Sequence, residues 1–184
     1  TGKSSVVKAS LIPWLREKGL QIIVMNPGNH PLAALEQSLT GIDETNSQSS
    51  LLFIDQFEEA ITSCQDKAER ENFLSKLNQI IDNSSNIHQV VITVRSDFET
   101  QLKNIIRGDH WQKGLYTIPA FSLEDLKEAA FIPTVQEVMI FDPPELLDTI
   151  VGDVMQAPGA IPLMSYILDE LYLAYNASGR QDRA

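Results

Sequence analysis

Three short, nearly continuous apolar runs, spaced by stretches of helical periodicity, constrain this chain more than any other feature of its sequence. They are residues 20–25 (LQIIVM), 51–54 (LLFI) and 89–94 (QVVITV). Each is rich in β-branched or large apolar residues and too short for a buried helix, so each reads as a strand buried on both faces. A strand with two buried faces needs helices above and below it, and the intervening sequence supplies them. Leu32, Leu35 and Leu39 recur at helical spacing, as do Phe73, Leu77, Ile80 and Ile81, and then Phe98, Leu102, Ile105 and Ile106. Ser96 and Glu99 form a capping-box pattern ahead of the last of these. Strand and helix in alternation predict an α/β fold built on a parallel sheet.

The flanks are less regular. Val7, Leu11 and Leu15 mark a first helix that Pro13 is expected to bend or end, because proline has no backbone donor. Residues 43–50 read as a polar surface loop and 114–118 as a fourth strand. From Ser122 onward the pattern changes. Helical signals at 123–130, 146–154 and 164–175 follow one another with no clear strand between them. The expected organisation is a sheet core over residues 1–121 and a helical subdomain over 122–184. The stripe Met164, Leu168, Leu171 and Tyr175 reads as helix packing.

A chain of 184 residues with 43% hydrophobic content can bury one substantial core but not two ordinary domains. Its net charge of -11 argues against a protein that works by coating nucleic acid or an anionic membrane, both of which need a dense basic patch. Cys64 stands alone and no apolar run is long enough to span a bilayer, so a reducing, cytoplasmic setting is expected. The three histidines, His30, His88 and His110, have no metal-ligand spacing. The opening Thr1-Gly2-Lys3-Ser4 has neither an initiator methionine nor a signal-like start, so a fragment is expected.

Any phosphate chemistry must rest on a few local groups, and two candidates occur in the right order. Gly2-Lys3-Ser4 at the mouth of a helix is the tail of G-x-x-x-x-G-K-[ST], in which loop amides cradle phosphates, lysine neutralises them and the hydroxyl binds magnesium. The first glycine of the pattern is not in the chain. The second candidate is Asp55, placed at the end of a buried strand where this chemistry needs a carboxylate for the magnesium or its water. The alternative is that Asp55, Glu58 and Glu59 form a solvated acidic helix start. Gln56 occupies the position where many P-loop ATPases carry a catalytic glutamate, and an amide is no general base. Hydrolysis would then fall to Glu58 or Glu59. Arg95, ending the next strand, could reach a terminal phosphate or pair with Asp97.

Four blocks, taken in order, resemble the STAND class of P-loop NTPases, and within it the novel STAND group often joined to WD-repeat propellers. They are TGKSSVVKA from Thr1, LLFIDQFEE from Leu51, VVITVRSDF from Val90 and PGAIPL from Pro158, and together they span most of the chain. The resemblance implies that Gly2, Lys3, Ser4 and Ser5 hold nucleotide phosphate and Mg2+. It makes Asp55 the Walker B acid beside Ser4, Glu58 (with Glu59) the group near the catalytic water, Arg95 the sensor, and Pro162 a lid residue packed on adenine. It also implies an additional-strand sheet whose phosphate-loop strand lies upstream of Thr1, so a chain without it is expected to be unstable and to bind nucleotide poorly.

The function expected from the residues and the resemblance together is an ATP-binding, ATP-hydrolysing regulatory switch with Mg2+ as cofactor, hinged near residues 120–123. Fused effector and repeat sensor domains, and a homo-oligomer on activation, are its expected partners, with no membrane and no direct nucleic-acid binding. The alternatives are a nucleic-acid motor or loader ATPase and a non-hydrolysing, nucleotide-stabilised scaffold. A small-molecule kinase ranks below them, since the sequence shows no acceptor site.

Overall fold

The computed structural model describes residues 2–40, 49–83, 87–106, 110–136, 141–157 and 160–178, and the chain divides into two compact units, Gly2–Thr117 and Ile118–Ala184.

In the first unit, the three apolar runs form a parallel sheet in the order β1 (Gln21–Met25), β2 (Ser50–Ile54), β3 (Ile87–Ile92). Strand β2 is central and buried along its whole length. Its side chains alternate between two separate cores, as the period of two requires. Leu52 and Ile54 join Ile23, Met25, Val90 and Ile92 on one face, beneath α3 (Pro31–Leu39), α5 (Lys67–Asn83) and α6 (Glu99–Ile105). Leu51 and Phe53 join Ile22 and Val91 on the other, beneath the first helix. The continuous apolarity of β2 is thus the imprint of two helical layers, whereas β1 is not buried on both faces and leaves Val24 42% exposed.

The β2–β3 register carries one irregularity: Ser50 pairs with Ile87 but Leu51 pairs with Gln89. The extra residue, His88, reverses the parity of β3, which is why Ile87 shares a core with Val90 and Ile92. Strand β3 therefore starts before, and ends before, the sequence pattern places it, leaving Thr93, Val94 and Arg95 beyond its end.

Pro13 does not end the first helix. Helical backbone runs through α1 (Lys3–Val6), a π-helical segment (Val7–Leu11) and α2 (Ile12–Glu17). The wider turn sits just ahead of Pro13, where it relieves the clash between the proline ring and the preceding turn's carbonyl. Val7, Ile12 and Leu15 keep facing the sheet throughout.

Other expectations need correction. Residues 114–118 form no strand: α7 (His110–Gly114) is followed by irregular chain, with Leu115 45% and Tyr116 80% exposed. Strand-forming residue types alone do not supply a sheet edge to pair with. Ser96 caps nothing, because a 3-10 turn (Ser96–Phe98) intervenes before α6, and Glu99 pairs instead with Lys103 at 2.9 Å. Of the polar loop at 43–50, residues 43–48 lie outside the described residues, whereas Ser50 is buried in β2 and donates to Gln21 Oε1 at 3.3 Å.

The second unit contains α8 (Leu123–Gln136), α9 (Leu146–Met155) and α10 (Ala160–Ala177). Leu126, Ala130, Ile150, Val151, Val154 and Met164 make its core. Helix α8 begins with a reciprocal cap: the Ser122 amide and hydroxyl both donate to Asp125 Oδ2 at 2.8 Å, and the Asp125 amide donates to Ser122 Oγ at 3.1 Å. These bonds hold the Asp125 carboxyl below its usual range. Of the α10 stripe, Met164 is buried and Leu168 packs beside it, but Leu171 is 40% exposed, so the packing face covers the first turns rather than the whole helix. No described helix is long and apolar enough to cross a membrane.

Candidate functional site

A parallel sheet places the carboxyl ends of all its strands on one edge, and ligands of open α/β sheets bind there. In the first unit this edge carries Asn26 and Gly28 after β1, Asp55 after β2 and Thr93 after β3. The backbone ties these turns together: the Asp55 amide donates to the Met25 carbonyl at 2.9 Å, and the Phe57 amide donates to the Thr93 carbonyl at 3.0 Å.

Asp55 is the centre of the arrangement and is 2% exposed. Its Oδ1 accepts the hydroxyl protons of Ser4 at 2.5 Å and Thr93 at 2.6 Å. Its Oδ2 accepts from the Lys8 ammonium at 2.6 Å. Burial by itself raises the pKa of such a carboxyl, but Lys8, Ser4 and Thr93 outweigh it and hold Asp55 below the usual carboxylate value. The reading of Asp55 as a solvated helix-start residue fails on this burial.

Two of these partners were not singled out from sequence. Lys8 lies one helical turn after Ser4, so the two share a helix face, and that spacing was the available signal. Thr93 offered none: it stands beside Asp55 only because Ile54 pairs with Ile92, a register the sequence does not reveal. The Thr93 hydroxyl also accepts the Gln56 amide at 3.1 Å, which fastens the turn after β2.

That turn is held in an uncommon conformation. Gln56 has φ +55°, in the left-handed region that non-glycine residues rarely adopt, and its side-chain carbonyl accepts from Asn26 Nδ2 at 3.2 Å. The bend carries the chain from β2 into α4 (Glu59–Thr62). Glu59 Oε2 accepts the Gly28 amide at 3.3 Å, joining the turn after β1. Glu58 Oε2 is buried and has no hydrogen-bond partner among the described residues. A buried carboxylate oxygen without a donor is costly, and such atoms concentrate where a functional group is kept ready.

Ser4 has one hydroxyl proton, and Asp55 takes it. The oxygen's lone pairs are therefore left to accept from, or to ligate, something else. A hydroxyl and a carboxylate are hard oxygen donors of the kind Mg2+ uses when it keeps most of its waters and takes the rest of its ligands from a phosphate. Among the described residues no group of three histidine, cysteine or acidic side chains is placed to hold a metal ion. Gly2 (φ +87°) precedes the helix, whose first turn begins at Lys3, and Lys3 makes no ion pair among the described residues. A helix N-terminus with a left-handed glycine before it and a lysine in its first turn offers amides and charge to a phosphate.

The match to family models runs over residues 1–183 and is to Novel STAND NTPase 1. The chain belongs to this family. No curated protein and no solved structure matched it.

Membership in the novel STAND NTPases points to a nucleotide-binding switch module and implies a nucleotide with Mg2+. Of the residues expected at the site, the structure brings together Ser4, Asp55, Glu58 and Glu59 around the strand ends. Arg95 is engaged locally: its guanidinium donates to both carboxylate oxygens of Asp97, at 3.1 and 2.9 Å, and lies 5.9 Å from the Phe98 ring centre. Ser5 is exposed in the first helical turn. Pro162 is exposed near the start of α10 in the second unit, and Pro158 and Gly159 lie outside the described residues.

The lowered pKa of Asp55 gives this NTPase a testable acid limb. A group whose folded pKa is depressed contributes stability above its unfolded value, about 3.9, and loses it as pH falls through the folded value. In metal-free buffer, the unfolding free energy of the wild type should therefore fall below about pH 4 more steeply than that of Asp55→Asn, by at most about 1.4 kcal/mol per pH unit. Urea unfolding across that range measures it, and parallel curves would remove Asp55 from the ion pair.

Proposed function

We propose that this chain is the nucleotide-binding and hydrolysing unit of a regulatory ATPase. The observation that carries the reading is the 2.5 Å bond from Ser4 to Asp55, which links the helix opened by Gly2-Lys3 to the end of the central strand. Bound Mg2+ would neutralise phosphate charge and order the leaving and attacking oxygens, with Ser4 and Asp55 as its protein partners. Lys3 and the first-turn amides from Gly2 to Ser5 hold the phosphates by charge and hydrogen bonding. Asp55, kept ionised by its donors, fixes the Ser4 hydroxyl so that its oxygen faces the ligand as an acceptor. Glu58, with a buried acceptor oxygen free, takes the proton of the attacking water, and Glu59 braces the loop through Gly28.

Arg95 reports the terminal phosphate by exchanging Asp97 for it, a swap that two exposed partners make at little cost. The outer edge of β3, which pairs with no strand among the described residues, accepts the strand that feeds the phosphate loop.

The test is Mg–ATP binding and single-turnover hydrolysis in the intact protein. Lys3→Ala should weaken ATP binding about 10- to 100-fold, the loss expected for one charged phosphate contact. Unchanged affinity would show that Gly2-Lys3-Ser4 is not a phosphate loop. A second reading, a nucleotide-stabilised scaffold without turnover, is favoured by Gln56, whose amide oxygen is bonded to Asn26 and has no basicity to offer. Binding without hydrolysis in the wild type would select it.

A further inference from the structure

The nucleotide reading leaves Lys8 unexplained. Phosphate binding does not call for it, yet it makes one of the closest polar contacts of the site. Its ammonium lies 2.6 Å from Asp55 Oδ2, while Oδ1 is already saturated by two hydroxyl donors. The pair is lopsided: the Asp55 side chain is 3% exposed and that of Lys8 is 51% exposed. The carboxylate cannot move into water, but the ammonium can, because the long stem of Lys8 already runs through solvent and its head recovers full hydration on leaving.

Oδ2 is also the one oxygen of Asp55 left to receive a water of a cation ligated by Ser4. An ammonium and a hydrated divalent cation compete for that oxygen because their charges repel at such short range. Ser4 and Lys8 lie one turn apart on the same helix, so the residue that would ligate the cation and the residue that excludes it are carried by one rigid element.

We propose that Lys8 is a built-in counter-ion that takes the place of the divalent cation at Asp55 and is displaced when magnesium-bound nucleotide enters. This rests on the nucleotide reading of the site and extends it. In the empty form Lys8 spares the fold a buried, uncompensated carboxylate, which would otherwise be strongly destabilising. In the loaded form its departure sets the concentration of Mg2+ at which nucleotide is retained. The device raises the Mg2+ concentration needed for loading above that of a bare Ser4–Asp55 site, by the factor the Lys8–Asp55 pair must be opened against.

The experiment is a titration of free Mg2+ at fixed ATP in the intact protein, read by fluorescent-nucleotide binding, for wild type, Lys8→Gln and Lys8→Arg. Melting in EDTA and in saturating Mg–ATP accompanies it. Glutamine keeps a donor for Asp55 but not the charge, and arginine keeps both. Lys8→Gln should lower the half-saturating Mg2+ about five- to tenfold, the scale of removing one competing charge. It should also melt earlier than wild type in EDTA, with the gap closing in Mg–ATP, while Lys8→Arg follows the wild type. In wild-type protein, the NMR signal of the Lys8 ammonium should lose its coupling to Asp55 when Mg–ATP binds, a reading that needs no variant to fold. A Mg2+ dependence unchanged in Lys8→Gln, weaker ATP binding by that variant at saturating Mg2+, or a Lys8–Asp55 pair retained in the bound state would overturn the proposal and leave the nucleotide site standing. No Mg2+-dependent nucleotide binding in the wild type would overturn both.

Discussion

Glu58→Gln should bind Mg–ATP within about threefold of wild type and lose single-turnover hydrolysis by about 100- to 10,000-fold, the range for removing a positioned general base. The substitution keeps the shape of the side chain, so the buried position of the orphan Oε2 is filled by a group of equal size. What disappears is the ability to accept a proton. Glu59→Gln is the internal comparison, since Glu59 Oε2 already accepts the Gly28 amide and its change should cost less than about tenfold by loosening the loop. If Glu59→Gln loses the greater part of the turnover, the two glutamates exchange roles. If both variants turn over at the wild-type rate, neither carboxylate handles the proton.

Phe53→Ala should cost about 3–5 kcal/mol of folding stability, the scale for emptying a fully buried aromatic site. Phe53 is wholly buried and meets Val7, Ile12 and Leu15 from the helix that carries Lys3, Ser4 and Lys8. Removing the ring undermines both the core and the seat of the helix proposed to bind phosphate, so ATP affinity should fall with stability. A domain of this size commonly has about 5–15 kcal/mol in total, so the variant should unfold at markedly lower urea. Trp14→Ala on the outer side of the same helix, 55% exposed, should cost less than about 1 kcal/mol. Equal costs at the two positions would mean that the helix does not pack on the sheet through the Phe53 face.

The strands were legible because short, nearly continuous apolar runs, rich in β-branched residues and bounded by turn signals, are what a strand covered by helices requires. Gly2-Lys3-Ser4 and Asp55 were legible as candidates for a related reason: nucleotide chemistry would demand particular residue types at the end of a strand and the start of a helix, and both ends were marked. Residues 114–118 misled because a short run with strand-forming residues is a weak signal, and here Leu115 and Tyr116 stand in solvent. Pro13 misled because a π-helical segment can absorb a proline that a regular α-helix cannot.

By itself, then, the sequence determined an α/β fold with a parallel sheet, the order of its elements and the three residues Lys3, Ser4 and Asp55 on which a nucleotide reading depends. Those follow from periodicity and local chemistry, which act between residues near in sequence. Only the tertiary structure decided that Thr93 and Lys8 complete the shell of Asp55, and that Glu58 rather than Glu59 holds an oxygen unpartnered among the described residues. These depend on strand register, on one extra residue in β3 and on the face a helix turns to the sheet. Each of those is fixed by packing between distant segments and leaves no mark in either segment alone.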